Sequence, residues 1–460
     1  MVHNFIAGKW CNDTPETSAT DVNLAVQYAS HHFLEWYQTA HTIREEILLR
    51  AAKLFLERKE SIARTIRDEI GKPLWEAKLE VESTAGKAAN ALQAEKERFI
   101  ETSWSKNDLS GKTNYRPLGV VGVIGPFNLP LHLPNAQIMP ALLAGNVVLF
   151  KPSELAPKTA VQYMKVWLDA GLPPYALQLL QGSGKTAQAI TEHKEVKGIF
   201  FTGSYETGQK IVEASQAMPD RLVALEMGGN NPIIVSSTAQ TQEAALIATI
   251  SSFITSGQRC TCARRLIVVE CEETKPFLQM VIQATLSLRV ALPTDSDDPY
   301  LGPLVSKEAC TKVLSGWNKL EGKILIPLQV LDNNLVTPGI IDVTGVQVPD
   351  VELFGPVLQV IRVQSFDEAI QVANSTEYGL VASVLTQNED EWNQAAQSLR
   401  AGIINWNMPT IGASGKAPFG GIGKSGNFRP AGLFACDSCS YPVAVSESRD
   451  LYIPTEVLPK

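Results

Sequence analysis

The sequence predicts an α/β protein built on two doubly wound, mostly parallel sheets. The chain has 460 residues, 45% hydrophobic and 19% charged, which is enough for two or three domains that each bury a core. Short apolar runs alternate with helical segments from 120 to 226, and the alternation resumes after 232. Strands joined by helical crossovers run parallel and are covered on both faces, so ligands should bind beyond their carboxyl ends.

Each element follows from its own pattern. Residues 24–101 are predicted to be helical because apolar residues recur at three- and four-residue spacing, and Gly71 with Pro73 ends one of these helices. Apolar runs predict the strands of the first sheet: VVGVIG (120–125), VVLFK (147–151), LQLL (177–180), GIFF (198–201) and RLVAL (221–225). Similar runs predict the second sheet: PIIV (232–235), RLIVVE (265–270), VLQVIRV (357–363), LVASVLT (380–386) and GIINW (402–406).

Composition excludes several classes of function. The formal net charge of −8 argues against a nucleic-acid partner, which calls for a basic face. Seven cysteines, an odd number without a regular spacing, fit a reducing compartment, so the cytoplasm is expected. The uncharged stretch between Arg116 and Lys151 is interrupted by glycines and prolines, so no membrane-spanning helix is expected there.

Three segments have features of a phosphate or nucleotide site. GSGKT (182–186) lacks the first glycine of a P-loop, and its match to GxGxxA leaves open a dinucleotide contact or an ordinary tight turn. In FTGSYETG (201–208), Ser204 can cap a helix whose free N–H groups would bind a pyrophosphate, or simply cap it. In KPSE (151–154), Lys151 and Glu154 could bind ribose hydroxyls or belong to a surface turn; Glu154 would repel a 2′-phosphate and so favour NAD over NADP.

Three side chains have the chemistry of covalent catalysis. Cys260 follows a predicted helix, in a loop where the two sheets should meet. Glu226 ends a buried strand, where loss of solvent raises a carboxyl pKa and suits a general base, although a salt bridge is equally possible. Asn128 follows the first strand and could donate to an oxyanion or serve as a turn residue. Cys260 and Cys262 are too close for a zinc pair, so no metal is predicted.

Together these segments resemble the NAD(P)-dependent aldehyde dehydrogenase superfamily over roughly residues 25 to 440. The resemblance rests on GVVGVIGPFNLP, KPSE, FTGSYETG, ALEMGGNNP, SGQRCTCARR, ELFGPV and NWNMPTIGASGKAPFGGIGKSG, in the family's order and spacing. It implies an NAD-binding domain (1–98 and 118–227), a catalytic domain (228–430) and a small bridging and oligomerisation element (99–117 and 431–460). A homodimer or homotetramer is therefore expected.

The resemblance also implies roles for individual residues. Cys260 would be the nucleophile, Glu226 the base for the deacylating water, and Asn128 an oxyanion donor. The implied NAD-binding residues are Lys151, Glu154, Gly203, Ser204, Tyr205, Glu206, Thr207, Gly208, Glu352 and Phe354.

The motifs around the shared core are most similar to a branch of the family that acts in arginine breakdown on an aldehyde with two carboxylates. Arg259, Arg264 and Arg429 are candidate carboxylate partners, each of which could instead form a structural ion pair. The alternatives are another acidic aldehyde, such as glutamate or succinate semialdehyde, or a catalytically silent homologue.

Two further expectations concern segments without an assigned role. The short stretch after IAGKW leads directly into a helix, unlike the family pattern, so we expect the first sheet to lack an edge strand. Cys262 should share a face with Cys260 if the segment is extended; it could then form a strained disulfide under oxidation, or pack in the core.

Overall fold

The apolar runs form two seven-stranded sheets in the computed structural model, which describes residues 3–12, 16–100, 102–106, 109–294 and 297–453. The strands are β1 (His3–Ile6), β2 (Lys9–Asn12), β3 (Ser103–Lys106), β4 (Leu109–Pro117), β5 (Val120–Ile124), β6 (Val147–Lys151), β7 (Leu177–Leu179), β8 (Val196–Gly203), β9 (Leu222–Met227), β10 (Asn231–Val235), β11 (Ala263–Val269), β12 (Lys323–Ile326), β13 (Val330–Asp332), β14 (Leu335–Val336), β15 (Gly339–Asp342), β16 (Val357–Val363), β17 (Val381–Leu385), β18 (Ile403–Trp406), β19 (Pro418–Phe419), β20 (Ala431–Gly432) and β21 (Ser440–Glu447).

The helices cover the sheets and connect their strands. They are α1 (Ala19–Gln38), α2 (His41–Glu57), α3 (Lys59–Ile70), α4 (Leu74–Arg98), α5 (His132–Ala144), α6 (Pro157–Asp169), α7 (Gly184–Glu192), α8 (Tyr205–Ser215), α9 (Thr241–Phe253), α10 (Lys275–Leu286), α11 (Lys307–Trp317), α12 (Phe366–Asn374) and α13 (Glu389–Ser398). As predicted, α3 stops at Gly71, whose φ of +73° suits glycine, and Pro73 precedes the next helix.

The first sheet has the order β2-β1-β7-β6-β5-β8-β9, and β7, β6, β5, β8 and β9 are parallel. The expectation that this sheet lacks an edge strand is wrong, because β1 and β2 form an antiparallel hairpin on its edge. The turn of this hairpin lies inside IAGKW, at Ala7 and Gly8, whose φ angles are +50° and +76°. Both strands therefore fit into the first twelve residues, before the short segment that prompted the expectation.

The second sheet has the order β12-β15-β16-β11-β10-β17-β18 and is parallel except at β12. A third sheet, β21-β4-β3, joins the end of the described chain to the segment before β5. The α/β class with two mostly parallel sheets is thus confirmed, while the domain boundaries given above stay a prediction.

Burial explains why the central strands are almost purely apolar. Every residue of β5, β6 and β10 is buried, since helices cover both faces of each sheet. Helices α1 to α4 share one hydrophobic core with the first sheet. None of the helices in the described ranges combines the length and the apolar character needed to cross a membrane.

Candidate active site

The loop that carries Cys260 begins with unusual backbone geometry. After α9, a 3-10 turn over Ile254–Gly257 has left-handed φ angles at Thr255 (+56°), Ser256 (+53°) and Gly257 (+71°). Left-handed geometry is costly for residues with a side chain, and it persists where surrounding contacts over-determine it. Here the Ser256 hydroxyl donates to the Gly302 carbonyl at 2.6 Å. A Cβ at Gly257 would lie 2.0 Å from the Gly355 oxygen, so only glycine fits this position.

Cys260 is half-buried in a turn rather than in an extended strand. The Cys262 N–H donates to the Arg259 carbonyl at 3.1 Å, and the Asn231 side-chain amide donates to the carbonyls of both Cys260 (2.7 Å) and Cys262 (2.9 Å). The premise that residues 260–262 are extended is therefore wrong. The Cys262 thiol is buried and donates to the Ile254 carbonyl at 3.6 Å, which agrees with packing in the core.

Two carboxylates lie close enough to Cys260 to affect its charge. Burial, followed by the nearby charges of Glu352 and Glu226, raises the pKa of the Cys260 thiol to about 12 against the opposing effect of Arg259. The thiol is thus held protonated by the protein alone. The structure places Glu226, the predicted base, close enough to Cys260, the predicted nucleophile, for its charge to act on the thiol.

Glu226 is buried at the end of β9. Its Oε1 accepts a hydrogen bond from the Ala431 N–H at 3.2 Å, while Oε2 is buried without a partner among the described residues. Burial raises the pKa of Glu226 well above the ordinary carboxyl value, and the Ala431 hydrogen bond offsets this only in part. In its ionised form, a carboxylate with a raised pKa and one free oxygen is a stronger base than an ordinary carboxylate, as removal of a proton from water requires.

Asn128 is also buried, and it bridges two loops. Its side-chain amide donates to the backbone carbonyl of Gln258 at 2.8 Å, and the backbone carbonyl of Asn128 accepts from the Lys72 ammonium at 2.6 Å. The amide has a second hydrogen that the described residues leave unused. The side chain therefore lies beside the Cys260 loop with a donor to spare.

Sequence reasoning missed the residues that hold this arrangement. Lys72 forms a buried ion pair with Glu80 at 2.5 Å, and the other Glu80 oxygen accepts from the Leu131 N–H at 2.9 Å. Asn231, which fixes two carbonyls of the Cys260 loop, belongs to ALEMGGNNP but was not singled out. The available signal was its position at the start of the strand that follows Glu226.

The predicted ribose pair is present at the end of β6. Lys151 is buried, and its ammonium donates to the exposed Glu154 carboxylate at 3.2 Å. Burial lowers the pKa of Lys151, an effect that Glu154 partly reverses.

The start of α8 is open to solvent. Ser204 caps the helix by accepting from the Thr207 N–H, and Glu206 and Thr207 are exposed beside it, while Gly203 and Tyr205 are half-buried. Gly208 is buried, and a Cβ there would lie 2.4 Å from the Met227 sulfur, so the glycine lets α8 pack against β9. The free N–H groups of this first turn are therefore available to an anion.

The Glu352 side chain packs against the backbone of Gly228. A Cβ at Gly228 would lie 1.7 Å from the Glu352 carboxylate, so a larger residue there would displace that carboxylate. Burial raises the pKa of Glu352 to about 7 against the effect of Arg264, whose guanidinium is 3.6 Å away. Phe354 packs edge-on against Phe127, with ring centroids 5.9 Å apart.

The GSGKT turn is hydrogen-bonded to a carboxylate of the same chain. The Glu16 carboxylate accepts hydrogen bonds from the Ser183 N–H at 3.2 Å and from the Thr186 hydroxyl at 2.9 Å, at the start of α7. A protein carboxylate therefore takes the place that a phosphate would need, which favours the reading of this segment as an ordinary turn.

The candidate arginines differ in their surroundings. The Arg259 guanidinium pairs with Glu76 at 2.8 Å and donates to the Thr255 hydroxyl at 2.7 Å. Arg264 is buried and donates to backbone carbonyls, including Gly257 at 2.7 Å, whereas Arg429 is exposed. Arg264 is thus a structural residue. Across the ranges that the structure covers, no group of three or more His, Cys, Asp and Glu side chains is placed to hold a metal ion.

Comparison with known proteins agrees with this geometry. The sequence model described as "Aldehyde dehydrogenase family" matches residues 1–445. N-succinylglutamate 5-semialdehyde dehydrogenase of Paraburkholderia xenovorans (strain LB400) is 43% identical over 483 aligned positions that cover 100% of this chain and 99% of the relative. The enzyme of the same name from Chromobacterium violaceum is 42% identical, covering 96% of this chain and 92% of the relative.

Solved structures of dehydrogenases are also similar to this chain, at lower sequence identity. A 1-pyrroline-5-carboxylate dehydrogenase from Thermus with bound NAD has a TM-score of 0.90 at 29% identity, covering 97% of this chain and 93% of that chain. An indole-3-acetaldehyde dehydrogenase in complex with NAD⁺ has a TM-score of 0.91 at 29% identity, covering 97% of both chains.

Proposed function

Since the chain belongs to the aldehyde dehydrogenase family, we propose that it oxidises N-succinyl-L-glutamate 5-semialdehyde to N-succinyl-L-glutamate with NAD. The observation that carries the proposal is the identity of 40–43% to relatives of that name over 96–100% of this chain. The substrate has two carboxylates, as the motifs around the shared core had predicted. The reaction would serve arginine catabolism by the succinyltransferase route.

The first half of the reaction is assigned to Cys260 and Asn128. The Cys260 thiol loses its proton to solvent, the resulting thiolate adds to the aldehyde carbon, and the carbonyl oxygen becomes an oxyanion. The unused Asn128 amide hydrogen and the Cys260 N–H donate to this oxyanion. NAD, when bound, supplies a hydride acceptor and a positive charge that favours the thiolate. Collapse of the oxyanion with loss of the hydride leaves the acyl group on Cys260 as a thioester.

The second half is assigned to Glu226. Its carboxylate takes a proton from water, the resulting hydroxide adds to the thioester carbon, and the Cys260 sulfur leaves. The products are the carboxylate of N-succinylglutamate and the free thiol. Glu226 Oε2 supports this role because it is buried and, within the described ranges, has no hydrogen-bond partner that would compete with the water.

The residues present fit a dinucleotide. Glu352 Oε1 is a buried oxygen that makes no hydrogen bond in the described chain, its nearest charge being the Arg264 guanidinium at 3.6 Å, and it lies near Cys260 as the nicotinamide end requires. We assign Glu352 and Phe354 to that end, and Lys151 and Glu154 to the adenosine ribose. The pyrophosphate is assigned to the first turn of α8, with the residues Gly203, Ser204, Tyr205, Glu206, Thr207 and Gly208.

An aldehyde panel with NAD and with NADP tests the proposed function. We expect kcat/KM for N-succinylglutamate semialdehyde to exceed that for butanal by about 100-fold, because charged hydrogen bonds contribute roughly 1.5–3 kcal/mol each. NAD should be preferred over NADP. A higher value for glutamate or succinate semialdehyde would move the assignment to that acidic aldehyde, and a preference for butanal would reject both. Absence of NAD binding by calorimetry would indicate a silent homologue.

We further propose a cytoplasmic homodimer or homotetramer. Trp104 on β3 and Tyr441 on β21 are about half exposed on the third sheet, an arrangement that suits contact with a second copy. The seven cysteines, an odd number without a regular spacing, support the cytoplasm as the compartment. Multi-angle light scattering should give two or four times the chain mass, whereas a monomer would contradict the proposed assembly.

A further inference from the structure

Helix α4 places a row of charged side chains beside the Cys260 loop. Glu76, Glu80 and Lys87 are spaced by four and seven residues, which puts them on one face of the helix. Glu76 faces Arg259, the neighbour of Cys260, and Glu80 faces the loop that follows Asn128. One turn beyond Lys87, Asn90 contacts the loop after β18, since a Cβ at Gly415 would lie 2.0 Å from its amide nitrogen. This face of α4 therefore extends from the Cys260 loop to the loop after β18.

The positive charges along this face of α4 are not all paired with carboxylates among the described residues. Arg259 is paired with Glu76 at 2.8 Å, and Lys72 is paired with Glu80 at 2.5 Å. Lys87 is half-buried, and no carboxylate or other acceptor bonds its ammonium among the residues that the structure describes. An ammonium that loses solvent without gaining a partner is costly, and burial accordingly lowers the pKa of Lys87 to about 8.

His132 shows that these cations share one region. Burial lowers the pKa of His132 well below its ordinary value, and the positive charges of Lys87, Arg259 and Lys72 lower it further. Lys87 is thus close to the first turn of α5 and to the pair beside Cys260. Arg259 and Lys72 are each paired with a carboxylate of the chain, whereas the Lys87 ammonium has no such partner among the described residues and could bind a carboxylate of a ligand.

We propose that Lys87 binds a carboxylate of the substrate and selects an acidic aldehyde. This inference rests on the proposed function and names a specificity residue for it. Arg259, which is paired with Glu76, would position Glu76 and the Cys260 loop rather than serve as the main carboxylate partner. Lysine suits this task because its ammonium has three donors on a flexible stem.

The test compares Lys87→Met with Lys87→Arg and with the matched control Lys96→Met, which removes an exposed lysine from the same helix. We expect Lys87→Met to raise KM for N-succinylglutamate semialdehyde by about 10- to 100-fold, with kcat changed little. kcat/KM for butanal should stay within about two-fold, and Lys87→Arg should recover most of the affinity. Lys96→Met should match the parent chain for both aldehydes.

Two results would overturn the inference while leaving the proposed function intact: no change in KM for the acidic aldehyde in Lys87→Met, or equal losses for both aldehydes. If the parent chain fails to oxidise the acidic aldehyde, the proposed function fails by itself. Calorimetric titration with N-succinylglutamate then tests the subsite separately: weaker binding by Lys87→Met than by Lys96→Met supports it, and equal binding rejects it.

Discussion

Replacing Cys260 by serine is expected to reduce kcat by at least about 10⁴-fold, because a hydroxyl in this setting cannot form or release the acyl intermediate at a useful rate. The side chain is half-buried, and the loop is held through its backbone carbonyl by Asn231, so the fold should be unchanged. NADH formation measures the loss. Mass spectrometry of the parent chain with substrate should show the acyl group on the peptide that contains Cys260.

Cys262→Ser is the matched control for this experiment. The Cys262 thiol is buried and directed at the Ile254 carbonyl, so its replacement should affect stability more than rate. Activity of Cys260→Ser within about ten-fold of the parent would remove Cys260 from the mechanism. If Cys262→Ser lost activity instead, while remaining folded, the nucleophile would have to be reassigned.

Glu226→Gln is expected to lower steady-state kcat by about 10²- to 10⁴-fold while leaving the first turnover largely intact. Glutamine keeps the hydrogen bond from Ala431 but cannot accept a proton from water. A burst of NADH equal to the number of active sites, followed by a slow phase, should therefore replace the linear progress curve. Equal loss of the burst and of the slow phase would place Glu226 in acylation as well.

The raised pKa of Glu226 also determines whether kcat and folding stability rise or fall with pH. The parent kcat should rise with pH through a region well above the ordinary carboxyl range, as Glu226 loses its proton, and the rise should disappear in Glu226→Gln.

The stability of the folded chain should show the opposite trend with pH. In the unfolded chain this carboxyl ionises near its ordinary pKa of 4.5, so folding loses stability as pH rises from there towards the folded pKa. Glu226→Gln should thus raise the Tm above neutral pH, but not in acid.

The sequence by itself determined the sheets and the principal catalytic candidates. Buried parallel strands read as continuous apolar runs, so β5, β6 and β10 were visible without any tertiary information. The positions of Glu226 after a strand and of Cys260 after a helix follow from the same pattern. Their proximity was expected only from the family resemblance, because Glu226 ends a strand of the first sheet whereas Cys260 precedes β11 of the second.

Tertiary structure alone decided which charges are satisfied. Arg259 and Glu76 are separated by 183 residues, and Glu16 reaches Ser183 across 167 residues, so neither pairing has a local signal. The turn geometry at Cys262 and the hairpin of β1 and β2 depend likewise on contacts made after the chain folds. Lys87 has no distinguishing mark in the sequence. It becomes a candidate only because the neighbouring cations are paired with carboxylates, whereas Lys87 is not paired with any residue that the structure describes. Local patterns specify elements, whereas the electrostatic balance of a site depends on residues that packing brings together from distant parts of the chain.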